Sequence, residues 1–283
     1  MTRLNSRTDF FKACDMGDGI CRIETSGIVY CYLVVGTKRA MLIDSMTGMG
    51  NLRTFAESLT DLPIFLVHTH GHFDHIGGAM DFDEAWLPLA ESASLPVQLN
   101  AARRHWFERR FYDHRHVHAN FTLRNFTPAH RIMWHGINEG QEFDIGGRTL
   151  TAYYLPGHTP GSMGFIDSRT GIFFSGDAGS RTTFLFLDNS TTCAEYHESL
   201  KRFKKAHAKQ VNKWYNAHVY TEMPATILDD LIQCSGDGAE GKVTGPNFRF
   251  HDGSTRFVYP INPRWHRSDG RFGNIIVRMN NLA

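Results

Sequence analysis

The segment Thr69–Gly78, THGHFDHIGG, places three histidines and an aspartate within six consecutive positions. It directly follows Pro63–Val67, an apolar run that is typical of a buried strand. The four candidate metal ligands are His70, His72, Asp74 and His75. Imidazole and carboxylate groups suit zinc, and a catalytic zinc keeps one position open for water. The segment therefore predicts a metal-dependent active site at the end of a strand, with a histidine-rich polar turn as the alternative.

Composition restricts the partners of this chain of 283 residues. Its formal net charge of +1 gives no basic field, so neither nucleic acid nor an anionic membrane is a favoured partner. No apolar run approaches the roughly 18–20 residues that span a bilayer, and the first residues lack the apolar core of a signal peptide. We therefore expect a cytoplasmic protein. Its five scattered cysteines include no CxxC pair, which indicates buried or spectator thiols.

Hydrophobic patterning predicts two groups of strands with helices between and after them. Predicted strands are Ile20–Glu24, Ile28–Val35, Arg39–Asp44, Pro63–Val67, Thr149–Leu155, Gly164–Asp167, Ile172–Phe174, Gln210–Tyr215 and Asn274–Met279. Predicted helices are Asn51–Leu59, Ser92–His118, Thr192–Ala208 and Ala225–Cys234, and Phe248–Tyr259 is predicted to be a hairpin. The Gly-rich stretch Ser235–Gly245 is a loop or a boundary. We expect one domain over residues 1–283, with two sheets flanked by helices and a β-rich C-terminal extension from about residue 240.

The HxHxDH pattern followed by two glycines resembles the metallo-β-lactamase superfamily. In that family an early aspartate, a third histidine, a second aspartate and a late histidine also stand at strand ends. The residues in these positions are Asp44, His158, Asp177 and His218. The resemblance implies an α/β fold, a four-layer αββα sandwich with the metal ions at one edge.

The same resemblance implies a ligand set for two zinc ions per chain, with iron or manganese as alternatives. The first ion would be held by His70, His72 and His158. The second would be held by Asp74, His75 and His218, with Asp177 bridging both ions. No residue is assigned to an organic cofactor.

Two aspartates of this set are expected to act in catalysis. The resemblance implies that Asp44 orients a ligand imidazole and that Asp74 takes up a proton as the nucleophile attacks. The late histidine is less well defined, because the surroundings of His218 lack the glycines that often flank it in the family. His207 and His251 are its competitors.

A dinuclear site with a bridging hydroxide suits hydrolysis at a carbonyl carbon or at phosphorus. We expect cleavage of a small ester, lactone, thioester or phosphoester. True β-lactamases typically lack an acidic residue at the position of Asp177. Lactonases often carry a tyrosine where Ser180 stands, and both activities are therefore less favoured. A persulfide dioxygenase with a single iron and a non-catalytic metal-binding member are the alternative interpretations.

An insertion at about residues 86–135 is rich in aromatic residues and arginines. A helical lid of this composition over a metal site would suit a substrate with an anionic or aromatic group. The predicted substrate residues are Arg103, Arg104, Arg109, Arg110 and Ser180. The alternative is a core or a homodimer contact. A second metal site at His114-x-His116-x-His118 is less favoured, because alternate residues of a helix do not share a face.

Overall fold

The computed structural model describes residues 9–25, 29–111, 121–219, 222–249 and 254–283. The chain divides into two compact units. Unit 1 runs from the start of the described chain to Ala152 and includes Ala217–Val219. Unit 2 comprises Tyr153–Asn216 and the described chain after Val219. Within the described parts of the chain, no helix is both long and apolar enough to cross a membrane.

Unit 1 contains a sheet of seven strands that pair in chain order. The strands are β1 (Lys12–Asp15), β2 (Ile20–Glu24), β3 (Tyr30–Val35), β4 (Ala40–Ile43), β5 (Ile64–Val67), β6 (Glu84–Pro88) and β7 (Met133–Ile137). Strands β1 to β4 are antiparallel, and β4 to β7 are parallel. The α-helices are α1 (Leu52–Glu57), α2 (Phe73–Ile76), α3 (Leu95–Gln98) and α4 (Ala101–Phe111). Strand β8 (Glu142–Asp144) pairs with the start of β9 (Thr149–Tyr154).

The centre of this sheet follows the predicted pattern. The β3–β4 hairpin and strand β5 lie where the sequence places them, and the last two residues of β5 are buried. Every residue of β4 is buried, as is usual for a strand beside parallel neighbours. These strands direct the polar residues that follow them to one edge of the sheet.

The segment predicted as a helical insertion is helical only in its middle. Its two ends form strands β6 and β7, which pair with each other over five residues. The predicted helix Ser92–His118 is also broken into a 3₁₀ turn, α3 and α4. Pro96 lies in the first turn of α3, where its missing N–H costs no helical hydrogen bond. Residues 112–120, including the three alternate histidines, lie outside the described residues.

Unit 2 contains the remaining strands and two long helices. The strands are β10 (Met163–Asp167), β11 (Ile172–Gly176), β12 (Thr182–Leu185), β13 (Lys213–Asn216), β14 (Glu222–Pro224), β15 (Asn247–Phe248), β16 (Thr255–Phe257) and β17 (Asn274–Arg278). One sheet contains the order β14-β13-β11-β10, and the other has the order β12-β17-β16-β15. The helices are α5 (Cys193–His207) and α6 (Ile227–Ala239).

Local sequence signals account for the two helices of unit 2. Thr192 and Glu195 form a capping box that satisfies backbone N–H groups at the start of α5. Helix α6 continues through Ser235 to Ala239, where the glycines had suggested a loop. Cβ atoms at Gly236 and Gly238 would lie 3.1 and 2.6 Å from atoms of α5, so these glycines let the helices approach closely.

Candidate metal centre

The HxHxDH segment leaves the buried end of β5 and turns into the single helical turn of α2. His70 and His75 have no exposed surface, and His72 is 9% exposed. The two glycines after the motif are sterically required. A Cβ atom on Gly77 would lie 2.2 Å from the carbonyl oxygen of Thr47, and one on Gly78 would lie 2.4 Å from that of Ser45. Neighbouring backbone therefore packs directly against the motif.

Asp74, His75 and His218 form a group whose potential ligand atoms all lie within 4.8 Å of one another. Asp74 Oδ2 is 3.9 Å from His75 Nε2 and 3.7 Å from His218 Nε2. His218 is placed by backbone pairing, because it forms an isolated β-bridge with Val29. This is the ligand set that the resemblance implies for the second ion.

The competing late histidines do not join this group among the described residues. His207 is placed by aromatic packing, with its ring centroid 3.9 Å from that of Tyr153 and 5.3 Å from that of Phe203. Burial lowers the pKa of His207. His251 lies outside the described residues.

Asp44 lies at the end of β4 and contacts the motif at several points. Its carboxylate accepts hydrogen bonds from the Thr69 amide at 2.8 Å, from the Thr69 hydroxyl at 2.9 Å and from His75 Nδ1 at 2.9 Å. Because a carboxylate can only accept, His75 carries its proton on Nδ1 and directs Nε2 towards Asp74. The backbone of Asp44 has a φ of 63°, a left-handed conformation that costs a non-glycine residue about 1–3 kcal/mol.

His70 and His72 lie side by side. His70 Nε2 is 3.1 Å from His72 Nδ1. On its other side, His70 Nδ1 is 3.1 Å from the Thr69 hydroxyl, which donates to Asp44. Thr69 therefore links Asp44 to a second imidazole, a role that the sequence pattern did not reveal.

His68 precedes the motif but has a different environment. Its ring is buried, with Nδ1 donating to the Trp86 carbonyl at 3.2 Å and Nε2 3.1 Å from the Ser45 hydroxyl. Burial lowers its pKa to about 4, although the negative charge of Asp44 acts to raise it. His68 is therefore neutral near pH 7 and joins the end of β5 to β6.

Unit 2 brings together the third predicted histidine and the predicted bridging aspartate. His158 Nε2 lies 3.5 Å from Asp177 Oδ2, and His158 Nδ1 donates to the Phe184 carbonyl at 2.9 Å. His158 is 3% exposed. Its loop follows β9, and Asp177 directly follows β11, so each lies at a strand end as the sequence indicates.

Tyr196 of α5 supports both of these loops, although no sequence pattern marks it. A Cβ atom on Gly157 would lie 2.2 Å from the Tyr196 ring, so the ring packs directly on the backbone before His158. The Tyr196 hydroxyl donates to the Ala178 carbonyl at 2.7 Å, one residue after Asp177. Tyr196 thus fixes the spacing of His158 and Asp177.

The predicted substrate residues occupy different environments. Arg104 has no exposed surface and donates to three backbone carbonyls, so it serves the interior of unit 1 rather than a substrate anion. The other three arginines are exposed, and the Arg103 guanidinium lies 5.1 Å from the ring centroid of Phe73 inside the motif. Ser180 is half-buried, and its amide donates to the Thr183 hydroxyl.

Comparison with known proteins identifies the family. Residues 25–214 match the family model described as the metallo-beta-lactamase superfamily. The chain belongs to this superfamily. The predicted family, metallo-β-lactamase fold and hydrolase class are thereby confirmed.

Relatives extend over most of the chain. An acyl-coenzyme A thioesterase, MBLAC2 of Gallus gallus, is 30% identical over 186 residues, which cover 61% of this chain and 67% of the relative. A probable polyketide biosynthesis zinc-dependent hydrolase, PksB of Bacillus subtilis, is 22% identical, with coverage of 72% and 79%. Among solved structures, a beta-lactamase domain protein from Burkholderia ambifaria matches with a TM-score of 0.57 and 19% identity, covering 81% of this chain and 78% of its own. The structural match shows the fold alone.

Proposed function

We propose that this hydrolase cleaves acyl thioesters of the coenzyme A type with a dinuclear zinc centre. The observation that carries the proposal is the grouping of Asp74, His75 and His218 within 4.8 Å, with Asp44 on the far side of the His75 ring. Hydrogen bonding of one imidazole nitrogen to a carboxylate is the usual support for a metal-binding histidine. The thioester as the bond cleaved is supported by the name of the MBLAC2 relative, and zinc by that of PksB.

The donor geometry fits zinc. Any two ligand nitrogens of a tetrahedral zinc site are separated by about 3.3 Å, given Zn–N bonds of about 2.0–2.1 Å. His70 Nε2 and His72 Nδ1 are 3.1 Å apart. In this proposal His158 and Asp177 complete the set, with Asp177 as the shared ligand, as the family resemblance implies. Bound zinc would supply a hydroxide nucleophile at neutral pH and stabilise the developing oxyanion.

The protein side chains have separate tasks in this proposal. Asp44 holds His75 in one tautomer and, through the Thr69 hydroxyl, restrains His70. Asp74, whose side chain is 13% exposed, is the acceptor for the proton released on attack. The exposed Arg103 would bind an anionic group of the substrate, and its position over Phe73 keeps it beside the motif.

The test combines metal analysis with a thiol-release assay. Protein purified without added metal should contain two zinc ions per chain, and free thiol should appear when acyl-coenzyme A is added. Chelation should abolish this release, and re-addition of zinc should restore it. No thiol release from short-, medium- or long-chain acyl-coenzyme A would contradict the proposed substrate. One iron per chain with sulfite release from a persulfide would favour the dioxygenase alternative.

A further inference from the structure

The Arg104 side chain places a positive charge in the interior of unit 1. Its side chain has no exposed surface, and burial lowers its pKa to about 10, so it remains charged near pH 7. Nη1 donates to the carbonyls of Thr47 and Gly77, both at 3.0 Å, and Nη2 donates to that of Thr127 at 2.9 Å. Burying a charge is costly unless hydrogen bonds compensate it. Three carbonyl acceptors provide this compensation, and the guanidinium in turn donates to all three, which an apolar residue could not do.

The two carbonyls converge because glycines allow the backbones to approach closely. A Cβ atom on Gly77 would lie 2.2 Å from the Thr47 oxygen, and one on Gly48 would lie 2.3 Å from the Gly77 oxygen. Two carbonyl oxygens that face each other without a donor would repel. Arg104 Nη1 supplies one donor group to both and relieves this repulsion.

The segments joined by Arg104 are those that fix His75. The Ser45 amide donates to the His75 carbonyl at 2.7 Å, and the Gly77 amide donates to the Met46 carbonyl at 2.9 Å. Asp44 and Met46 both have left-handed backbones, with φ values of 63° and 54°. Such conformations persist only where the surroundings hold them. The position of the Asp44 carboxylate therefore depends on contacts made farther along its own segment.

Helix α4 holds Thr47 a second time, through Glu108. Arg104 and Glu108 are four residues apart and lie on the same face of the helix. The Glu108 carboxyl is 2% exposed and accepts a hydrogen bond from the Thr47 hydroxyl. One residue of the Asp44 segment is thus bound through its carbonyl by Arg104 and through its side chain by Glu108.

We propose that Arg104 is a positioning residue for the second metal ion. It acts from α4 by holding Thr47 and Gly77 so that Asp44 meets His75, and it touches neither substrate nor metal. The inference rests on the metal-binding part of the proposed function. It also assigns α4 a role, as a support of the metal site rather than only a lid over the substrate.

The experiment compares Arg104→Met and Arg104→Lys with Arg148→Met. Arg148 is a matched control, because it is also buried in unit 1 and donates to a backbone carbonyl, that of Asp18, at 2.6 Å. Metal-free protein is titrated with cobalt(II) and followed by its d–d absorption, with zinc competition for affinity. Thermal unfolding of each metal-free variant reports on the fold separately.

Arg104→Met should weaken binding of the second ion by up to about 10-fold, because Arg104 acts one contact farther from the ligand than Asp44, and loss of a direct support typically costs about 10- to 100-fold. Arg104→Lys retains the positive charge and one donor nitrogen in place of the fork, so its affinity for the second ion should fall less. Arg148→Met should bind both ions as the wild type does, even if its unfolding temperature falls as much as that of Arg104→Met. Arg104→Met with wild-type affinity for the second ion would overturn the inference. If that variant does not fold, a folded Arg104→Lys with unchanged affinity would overturn it. A wild-type protein that binds no ion would overturn the proposed function as well.

Discussion

Asp44 Oδ2 lies 2.9 Å from His75 Nδ1, and the same oxygen accepts a hydrogen bond from the Thr69 hydroxyl. Both side chains are buried, with Asp44 2% exposed and His75 not exposed at all. This contact fixes which nitrogen of His75 carries the proton. It also joins the end of β4 to the motif that follows β5, so the proposed metal site depends on two neighbouring strands.

Replacement of Asp44 by asparagine should weaken binding of the second metal ion. The asparagine amide would place an N–H group opposite Thr69 or His75, and relief of that clash would move the His75 proton to Nε2. We expect a loss of about 10- to 100-fold in affinity for the second ion, measured by zinc competition. Asp83→Asn is the control, because Asp83 is an exposed carboxylate paired with Arg53. Equal zinc affinity in Asp44→Asn and the wild type would show that Asp44 does not set the tautomer.

Glu108 should make the metal-free protein less stable as the pH rises. Burial raises its pKa from 4.5 to about 7, opposed by the Thr47 hydroxyl and aided by the charge of Asp74. Between pH 4.5 and about 7, Glu108 is deprotonated in the unfolded chain but still protonated in the folded protein. Stability therefore falls as the pH rises through this range and levels off above about pH 7. As the pH rises from 4.5 to 8, the free energy of unfolding of Glu108→Gln should therefore rise by up to about 3 kcal/mol relative to that of the wild type.

Urea unfolding at several pH values, with metal removed, measures this difference directly. Metal must be absent because a cation beside Asp74 would lower the pKa of Glu108. A difference between Glu108→Gln and the wild type that stays constant from pH 4.5 to 8 would mean that Glu108 is not the titrating group.

The two ion sites should respond differently to loss of single ligands. His218→Ala should lower zinc content towards one ion per chain, since in the proposed centre His218 is a ligand of the second ion only. Asp177→Ala should lose at least one ion and nearly all hydrolysis, because Asp177 is the proposed bridge and a bridging carboxylate offsets the repulsion between two cations. His207→Ala is the matched control and should keep both ions, because that ring packs against Tyr153. Two tightly bound ions in His218→Ala would place the late ligand elsewhere.

Arg103 should affect substrate binding more than turnover. An exposed arginine gains little from pairing with an anion in water, so Arg103→Ala should raise KM roughly 2- to 10-fold with kcat nearly unchanged. The KM of the wild type should rise with added salt, and that of the variant should rise less. Arg169→Ala removes a charge that is also exposed, but in unit 2, and serves as the control. A fall in kcat at constant KM would instead assign Arg103 to the reaction step.

The sequence by itself determined the motif and the strands that carry it. His70, His72, Asp74 and His75 are consecutive or nearly so, and the preceding apolar run specifies a buried strand, so their proximity needs no long-range information. The β3–β4 hairpin and the capping box of α5 are similarly local. Family resemblance added the fold, the hydrolase class and the positions of the more distant predicted ligands.

Only the tertiary structure shows that Arg104 and Arg103 have different roles. The helix AARRHWFERRF has polar residues on every face, so its sequence does not show which side is buried, and four arginines appear equivalent. Their roles diverge because Arg104 meets backbone from residues 47, 77 and 127, between 23 and 57 positions away along the chain. The contacts of Tyr196 with Gly157 and Ala178 are also distant in sequence, the second of them 18 positions away. The roles of such residues depend on the shape of the surrounding backbone, which exists only once the chain has folded.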